Sequence, residues 1–277
     1  MENANIIHEV VAIIDRSGSM MGKEDDTIGG INSTFEVLRN NKDINTNIKV
    51  SIKFFDHEEK MLIKSLNIDK VKPILHEQYC PRGQTALLDA IGNTLNYFME
   101  RKINDVKSYD CCTIYIVTDG YENSSKYYNT ENIKSMISNA EENFNIKILY
   151  LGANQDAILE ASKYGINPSQ ALNYDENTDN ILSAYRSVAN AAQRHSNGGE
   201  TGFTNIERTM SQPESFVNAN NANSPSCGDN ERWPGWFFGR LYFLTAAALI
   251  MLFPFPPNML LPPVIPLFGS FISSPPF

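Results

Sequence analysis

The stretch VVAIIDRSGSM, residues Val10 to Met20, decides the fold of this chain. Its five leading apolar residues run directly into Asp15. Continuous apolar runs of this kind are typical of strands that are buried on both faces of a parallel sheet. The stretches TIYIVT, from Thr113, and IKILYLG, from Ile146, have the same character. These three runs predict the central strands of a parallel sheet.

Helix-like segments separate the predicted strands. TALLDAIGNTLNYFMERK and TENIKSMISNAEENF each place their apolar residues on one helical stripe. GINSTFEVLRNN follows the first strand, and further helices are predicted over about 155–164 and 178–194. Alternating strands and helices are what a mostly parallel sheet with crossover helices produces. The order of elements therefore predicts an α/β fold.

One pair of segments differs from the rest. NIKVSIKFF, from Asn47 to Phe55, alternates apolar with polar residues, and KMLIKSLNI follows after the polar turn DHEE. A short polar turn between two strand-like segments favours a hairpin. We expect these two segments to form an antiparallel pair at an edge of the sheet.

Composition excludes some classes of function. The chain has 277 residues, of which 42% are hydrophobic, enough for a sizeable core. Its 23 basic and 32 acidic residues give a net charge of −9, which offers no basic surface for a phosphate backbone, so nucleic acid is not an expected partner. The N-terminal MENANIIHEV lacks a secretory-signal pattern, and we expect a cytoplasmic protein with reduced cysteines. The four scattered histidines match no zinc motif, so the sequence predicts no zinc site.

The residues after the first strand supply oxygen atoms. Asp15 ends a predicted buried strand, and in open α/β sheets ligands bind beyond the carboxyl ends of the strands. In an extended loop, Asp15, Ser17 and Ser19 present one carboxylate and two hydroxyls on the same side. Mg²⁺ prefers oxygen ligands in octahedral geometry and uses few carboxylates, whereas Ca²⁺ usually takes more protein oxygens. This pattern indicates a site for a divalent cation, Mg²⁺ before the others.

Two other segments complete the set. PRGQTALLDAI places Thr85 at a helix start, and YIVTDGYEN places Asp119 at the end of a second buried strand. If the two strands are parallel neighbours, Asp15 and Asp119 lie at the same edge of the sheet. Each part has an ordinary structural alternative, since Thr85 is a natural N-cap and Asp119-Gly120 a common turn dipeptide. The order of the three motifs on their elements favours the metal site.

The motifs DRSGSM, GQTALLDAI and IVTDG together resemble the metal-ion-dependent adhesion site (MIDAS) of von Willebrand factor type A domains. The later ILYLGANQDA and YGI resemble a soluble subgroup of that family found in bacteria and phages. The resemblance covers about residues 5–195 and implies a Rossmann-like fold with a mostly parallel central sheet, one antiparallel edge strand and helices on both faces. It also implies five metal ligands, some acting through water: Asp15, Ser17, Ser19, Thr85 and Asp119.

The resemblance implies a function in binding. In the family, a carboxylate of a protein partner completes the coordination of the metal. We therefore expect a non-enzymatic, metal-dependent protein-interaction module that binds an Asp or Glu of a partner through Mg²⁺, with Mn²⁺ or Ca²⁺ as alternative ions. The alternative function is a Mg²⁺-dependent hydrolase or phosphotransferase. Two features of the sequence count against this enzyme alternative. It lacks a GxxxxGK[ST] phosphate-binding loop. If Asp15 were a nucleophile, a second carboxylate would usually follow two residues later, and Ser17 occupies that position.

The chain changes character after His195. We predict a von Willebrand factor type A-like domain over 1–195, a flexible polar linker over 196–235 and an apolar tail rich in Pro, Phe and Leu over 236–277. The apolar core of the tail before Pro254 would give about 20 Å of helix, against about 30 Å of bilayer core. Two interpretations of the tail stay open, a membrane anchor that leaves the domain in the cytoplasm and a frameshifted or fused sequence.

A few other residues near the motifs have expected roles. Arg16 is expected to be solvated or to contact a partner. Asp89, near the start of its helix, is expected to act only on the helix dipole. Three tyrosines follow Asp119 and are candidate partner contacts, because exposed aromatic residues are enriched in interfaces: Tyr121, Tyr127 and Tyr128.

Overall fold

The secondary structure follows the apolar runs of the sequence. The computed structural model describes residues 5–153 and 156–212. The strands are β1 (Ile6–Asp15), β2 (Thr46–Phe55), β3 (Glu59–Asn67), β4 (Cys111–Thr118), β5 (Ile146–Ala153) and β6 (Ala171–Tyr174). The helices are α1 (Glu24–Asn41), α2 (Leu87–Asn104), α3 (Thr130–Asn143), α4 (Ala157–Lys163), α5 (Thr178–Ser196) and α6 (Asn205–Ser211).

The strands form one sheet in the order β3-β2-β1-β4-β5-β6. All neighbouring pairs are parallel except β2 and β3, which are antiparallel at one edge. This confirms the predicted fold class and the predicted edge hairpin. In the register of β1 and β4, Ile14 lies beside Val117, so Asp15 and Asp119 follow neighbouring strands at the same edge of the sheet.

Helices cover both faces of the sheet. Along β1, Val10, Ala12 and Ile14 pack in a core with α1 and α5, whereas Val11 and Ile13 pack in a second core with α2 and α3. All five side chains are fully buried. Burial of one Val or Ile side chain contributes about 1.5–3 kcal/mol. The run from Val10 to Ile14 is therefore continuously apolar because successive residues serve opposite cores.

Helix α1 begins earlier than its sequence suggests. It starts at Glu24, and its first turn carries acidic residues that favour the helix N-terminus. Gly30, which the sequence placed beside the helix start, lies inside the helix and packs against α5. A Cβ atom on Gly30 would lie 2.3 Å from the ring of Tyr185. The glycine therefore serves close packing of α1 on α5.

The packed region extends beyond residue 195, where the sequence placed the start of the polar linker 196–235. Thr204 and Glu207 form a capping box at the start of α6, with N···O distances of 2.8 and 3.2 Å. Phe203 is buried, and the guanidinium of Arg194 contacts the Glu207 carboxylate at 2.9 Å. These contacts hold residues 196–212 against α5. The rest of the predicted linker, 213–235, and the predicted tail, 236–277, lie outside the described residues. Within the described ranges, no helix combines the length and apolar character needed to cross a bilayer.

Candidate metal centre

The carboxylate of Asp15 is fully buried at the end of β1. Its Oδ1 accepts a hydrogen bond from the backbone N–H of Ser17 at 2.7 Å, and its Oδ2 accepts one from the Thr118 hydroxyl at 2.6 Å. The Tyr79 hydroxyl donates to the Asp15 carbonyl at 2.5 Å. Burial raises the pKa of Asp15 to about 6 against the effect of these hydrogen bonds, and the nearby Asp119 raises it further. The buried carboxylate is thus held in one orientation and is costly to ionise alone.

Ser17, Ser19 and Asp119 form a chain of contacts next to Asp15. The hydroxyls of Ser17 and Ser19 lie 3.0 Å apart. Ser19, in a short 3₁₀ turn over Gly18–Met20, donates its hydroxyl to Oδ1 of Asp119 at 2.6 Å. Ser19 is exposed while Ser17 is buried, so the site opens to solvent on the Ser19 side.

Thr85 is held in place by the loop that follows β4. Its N–H donates to Oδ1 of Asn123 at 2.9 Å, and its carbonyl accepts from the N–H groups of Asn123 and Ser124 at 3.0 and 3.2 Å. Glu122 also accepts a hydrogen bond from the N–H of Leu88 at 3.0 Å. The loop before α2 and the loop after β4 therefore behave as one unit.

The predicted ligands converge on a space above Gly120. A Cβ atom built on Gly120 would lie 3.2 Å from Ser19 Oγ, 3.2 Å from Thr85 Oγ1 and 3.6 Å from Asp15 Oδ2. Oxygens of the loop after β1 and of the loop before α2 thus surround, together with Gly120 of the loop after β4, a space that a larger residue at position 120 would fill. The donor set contains oxygen atoms alone, the type that Mg²⁺, Mn²⁺ and Ca²⁺ prefer. The residues present fit a hard divalent cation.

Solved structures with this arrangement of strands and helices include the von Willebrand factor type A protein of Catenulispora acidiphila. It matches with a TM-score of 0.51 and 14% identity over 68% of this chain and 43% of that one. The chain has a von Willebrand factor type A fold. The vWF domain of a type V pili tip protein from Porphyromonas gingivalis matches with a TM-score of 0.50 and 12% identity, over 73% of this chain and 99% of that domain.

A third structure with the von Willebrand factor type A fold is proximal thread matrix protein 1 of the mussel byssus, described with a zinc-occupied MIDAS motif. Its TM-score is 0.48, with 14% identity over 69% of this chain and 46% of that chain. This chain therefore spans less than half the length of the mussel and Catenulispora proteins. No protein-family model matches the sequence. No curated protein matches it either.

Lys23 is a residue at the site that the sequence motifs did not indicate. Its ammonium lies 2.5 Å from Oδ2 of Asp119 and 2.5 Å from Oε1 of Glu176. Desolvation opposes its charge, but the hydrogen bonds to both carboxylates outweigh this and hold the pKa of Lys23 above its usual value. Lys23 thus places a positive charge against one of the two carboxylates that a metal ion would use.

Arg16 has a structural role that differs from both alternatives predicted for it. Its side chain is buried, and its Nε lies 3.0 Å from Oδ2 of the fully buried Asp56. Arg82 Nε contacts the same oxygen at 2.9 Å, and its backbone N–H donates to the Arg16 carbonyl at 2.7 Å. Gly18 N–H donates to the carbonyl of Gly83, whose φ of 69° favours glycine. These contacts join the DRSGS loop to the PRG loop before Thr85.

Asp89 does more than favour the helix dipole. Its carboxylate accepts hydrogen bonds from the N–H groups of Lys126, Tyr127 and Tyr128 at 2.7, 2.9 and 3.1 Å. It therefore fixes the loop after Asp119.

The three candidate tyrosines behave differently. Tyr121 is 62% exposed and Tyr127 is 79% exposed, so they remain candidate partner contacts. Tyr128 packs against Gly92 and accepts a hydrogen bond from Asn96 at 2.7 Å. It is part of the scaffold of the loop.

Proposed function

We propose that this chain is a metal-dependent protein-interaction module. The proposed metal site is made of five residues in the loops at the carboxyl ends of β1 and β4 and before α2: Asp15, Ser17, Ser19, Thr85 and Asp119. The observation that carries the proposal is that oxygens of the loop after β1 and of the loop before α2 converge around Gly120, while Ser19 contacts Asp119 of the loop after β4. Mg²⁺ is the proposed ion, with Mn²⁺ and Ca²⁺ as alternatives, because the donors are hard oxygens.

The charge of the site supports acid-seeking recognition. Two carboxylates would balance a divalent ion while the hydroxyls stay neutral, so the bound ion would supply a Lewis-acidic position for an anionic oxygen. Asp15 and Asp119 are held by Thr118 and Ser19, which leaves them oriented toward the site. Ser19 is exposed, so a carboxylate of a partner can reach the site from solvent. The proposed ligand is an Asp or Glu side chain of another protein.

The surface around the site supports a protein as the partner. Met21, Tyr121 and Tyr127 all follow metal-site residues in the chain and are exposed by 63%, 62% and 79%. Methionine and aromatic residues are enriched at the cores of interfaces. These side chains would add apolar contacts around the central carboxylate.

The chemistry of the nearby groups favours binding over catalysis. A hydrolase or phosphotransferase needs a free base or nucleophile at the ion. Lys23 carries its charge at neutral pH because its pKa is raised, so it is not a base there. Asp15, which would be the nucleophile of the alternative enzyme, is fully buried and accepts hydrogen bonds from Ser17 and Thr118. An interaction module is therefore the better proposal. Among the described residues the exposed thiol of Cys80 is unpaired, which suits a reducing compartment, and we propose a cytoplasmic location.

Selection of peptides from a random display library on the full chain, in buffer with Mg²⁺, tests this proposal. We expect the selected peptides to share an essential Asp or Glu, to lose binding in EDTA, and to fail on an Asp119→Ala variant. Asp25→Ala is the matched control, since its carboxylate is 95% exposed on α1. Peptides that bind equally in EDTA, or whose Asp→Asn versions bind equally well, would contradict the proposal.

A further inference from the structure

A second cluster of ligand-type side chains lies at the opposite end of the sheet. It contains His8 of β1, Cys111 at the start of β4 and His195 in the last turn of α5, and all three are buried. One ligand atom of each lies within 4.8 Å of the others. The parallel register of β1 and β4 places His8 directly beside Cys111. At about 3.3 Å per residue, His8 is about 23 Å from Asp15 along the strand, so this cluster is separate from the oxygen site.

Hydrogen bonds fix the tautomer of His195. The amide nitrogen of Asn145 donates to the Asp110 carbonyl at 2.9 Å, which turns Oδ1 of Asn145 toward His195 Nε2 at 3.1 Å. Since Oδ1 can only accept, Nε2 carries the proton. Burial lowers the pKa of His195 to about 4, so the ring is neutral and its Nδ1 is an acceptor. The Thr113 hydroxyl therefore donates to Nδ1 at 2.8 Å.

The same reasoning leaves one nitrogen of His8 with a bare lone pair. Having donated its proton to His195, the Thr113 hydroxyl accepts from His8 Nε2–H at 2.9 Å. Burial lowers the pKa of His8 to about 3, so this ring is neutral as well and its Nδ1 is unprotonated. His8 is completely buried, and among residues 5–153 and 156–212 its Nδ1 has no hydrogen-bond partner. A buried acceptor without a partner costs free energy, and a metal ion beside it would remove that cost.

The donors match a softer cation than the one proposed for the other site. Two neutral imidazoles and a cysteine sulfur are the ligands of zinc sites, with Zn–N of about 2.0–2.1 Å and Zn–S of about 2.3 Å. Those bond lengths bring tetrahedral ligand atoms to within about 3.6 Å of one another. The three ligand atoms are separated by up to 4.8 Å. To bind zinc, they would have to approach one another by about 1 Å, which side-chain adjustment can supply.

We propose that His8, Cys111 and His195 form a second metal site that takes Zn²⁺ in preference to Mg²⁺. The Cys111 thiol gives its proton to the buffer as the zinc–sulfur bond forms, and the Thr113 hydroxyl gives up its hydrogen bond to His195 Nδ1 so that this lone pair can bind the ion. The bound ion would tie the last turn of α5 to β1 and β4. The three ligands are far apart in sequence, which is why no short zinc motif marks them.

The direct test uses Co²⁺ as a spectroscopic probe on the full chain, under reducing conditions and in an Asp119→Ala background that removes the oxygen site. We expect one Co²⁺ per chain with a thiolate-to-cobalt charge-transfer band in the near ultraviolet, displaced by Zn²⁺ and not by Mg²⁺. Cys111→Ser should lose the band. Cys112→Ser is the matched control, because Cys112 is also buried but packs in the core on the other face of the sheet.

Two results would overturn the second site: the absence of a thiolate band in the parent protein, or a band of equal intensity in Cys111→Ser. If Cys111→Ser does not fold, as judged by circular dichroism, His195→Asn replaces it. We expect His195→Asn to weaken Zn²⁺ binding at least about tenfold, and unchanged affinity would count against the site. Because the background lacks the oxygen site, failure here leaves the proposed interaction function untouched.

Discussion

The two ends of the central sheet carry opposite kinds of chemistry. At the carboxyl end, loops bring together hard oxygens around Gly120. At the amino end, buried side chains bring together two imidazoles and a thiol beside Thr113. The first set lies in loops that short motifs reveal, and the second arises only from strand register and the packing of α5. A short sequence motif can therefore reveal a site whose ligands lie within loops. It cannot reveal a site whose ligands come together only through strand register and helix packing.

The largest expected effect comes from filling the space at the carboxyl end. In Gly120→Ala, the new Cβ would lie 3.2 Å from the hydroxyl oxygens of Ser19 and Thr85. We expect Mn²⁺ affinity, measured by isothermal titration calorimetry, to fall by about 10- to 100-fold, as when the surroundings of metal ligands are disturbed. Gly29→Ala is the control, because a Cβ at Gly29 meets no atom of the described residues within 4 Å outside the backbone of its own helix.

Gly120→Ala also tests whether the two proposed metal sites bind independently of each other. The Co²⁺ band assigned to the amino end should be unchanged in Gly120→Ala. If Mn²⁺ binds Gly120→Ala as tightly as the parent, the space above Gly120 is not where the ion binds.

The next effect is a dependence on pH at the carboxyl end. Burial raises the pKa of Asp15 to about 6, so below that pH a metal ion must displace a proton. We expect Mn²⁺ affinity to fall about tenfold per pH unit below about 6 and to be nearly flat above it. Titration calorimetry at pH 5 and pH 7 measures this.

The raised pKa of Asp15 also affects the stability of the metal-free protein, which changes with pH in the opposite direction to the Mn²⁺ affinity. A raised carboxyl pKa means that the folded chain binds more protons than the unfolded chain between about pH 4 and 6. The contribution of Asp15 to stability therefore falls as the pH rises through this window. An increase of that contribution, obtained by comparing the parent with Asp15→Asn, would contradict the assignment.

A smaller effect is expected from removing the competing ammonium. Lys23→Met takes away the positive charge that contacts Asp119. We expect Mg²⁺ affinity to rise several-fold while the metal-free melting temperature falls by a few degrees, since Asp119 loses an ion-pair partner. Titration calorimetry and thermal unfolding measure the two effects. Lys42→Met, which breaks the surface pair of Lys42 with Asp69, is the control and should change neither. A fall in Mg²⁺ affinity in Lys23→Met would make Lys23 a supporting residue of the site.

Much of the fold could be predicted because strand runs and helical stripes are local patterns. The long apolar runs identify β1, β4 and β5. The short β6, Ala171–Tyr174, was not predicted, since its four residues are stabilised by pairing with β5. Helix α6 was assigned to a linker although Thr204 and Glu207 form a local capping box, because the helix is short and its ion pair with Arg194 of α5 is not visible in the sequence. The early start of α1 was not predicted, because a glycine inside a helix is unfavourable by itself. Gly30 is explained only by its close packing against Tyr185.

The candidate site shows the same division. Its five predicted ligands lie in three short motifs, and the structure brings those motifs together. The roles of Lys23, Asp56 and Asp89 depend on partners far along the chain, so no local pattern could reveal them. Arg16 was expected at the surface because alternation turned it away from the ligands, but the buried carboxylate of Asp56 holds it inside.

Thermal unfolding of the full chain in EDTA and in excess Mg²⁺ tests the central claim most directly. At about 100 times its dissociation constant, a ligand adds about 2.7 kcal/mol of stability, which is a shift of a few degrees for a domain of this size. We expect this shift in the parent and in the Asp25→Ala control, and its loss in Asp119→Ala. A parent that melts at the same temperature with and without Mg²⁺, or an Asp119→Ala variant that shifts as far as the parent, would contradict it.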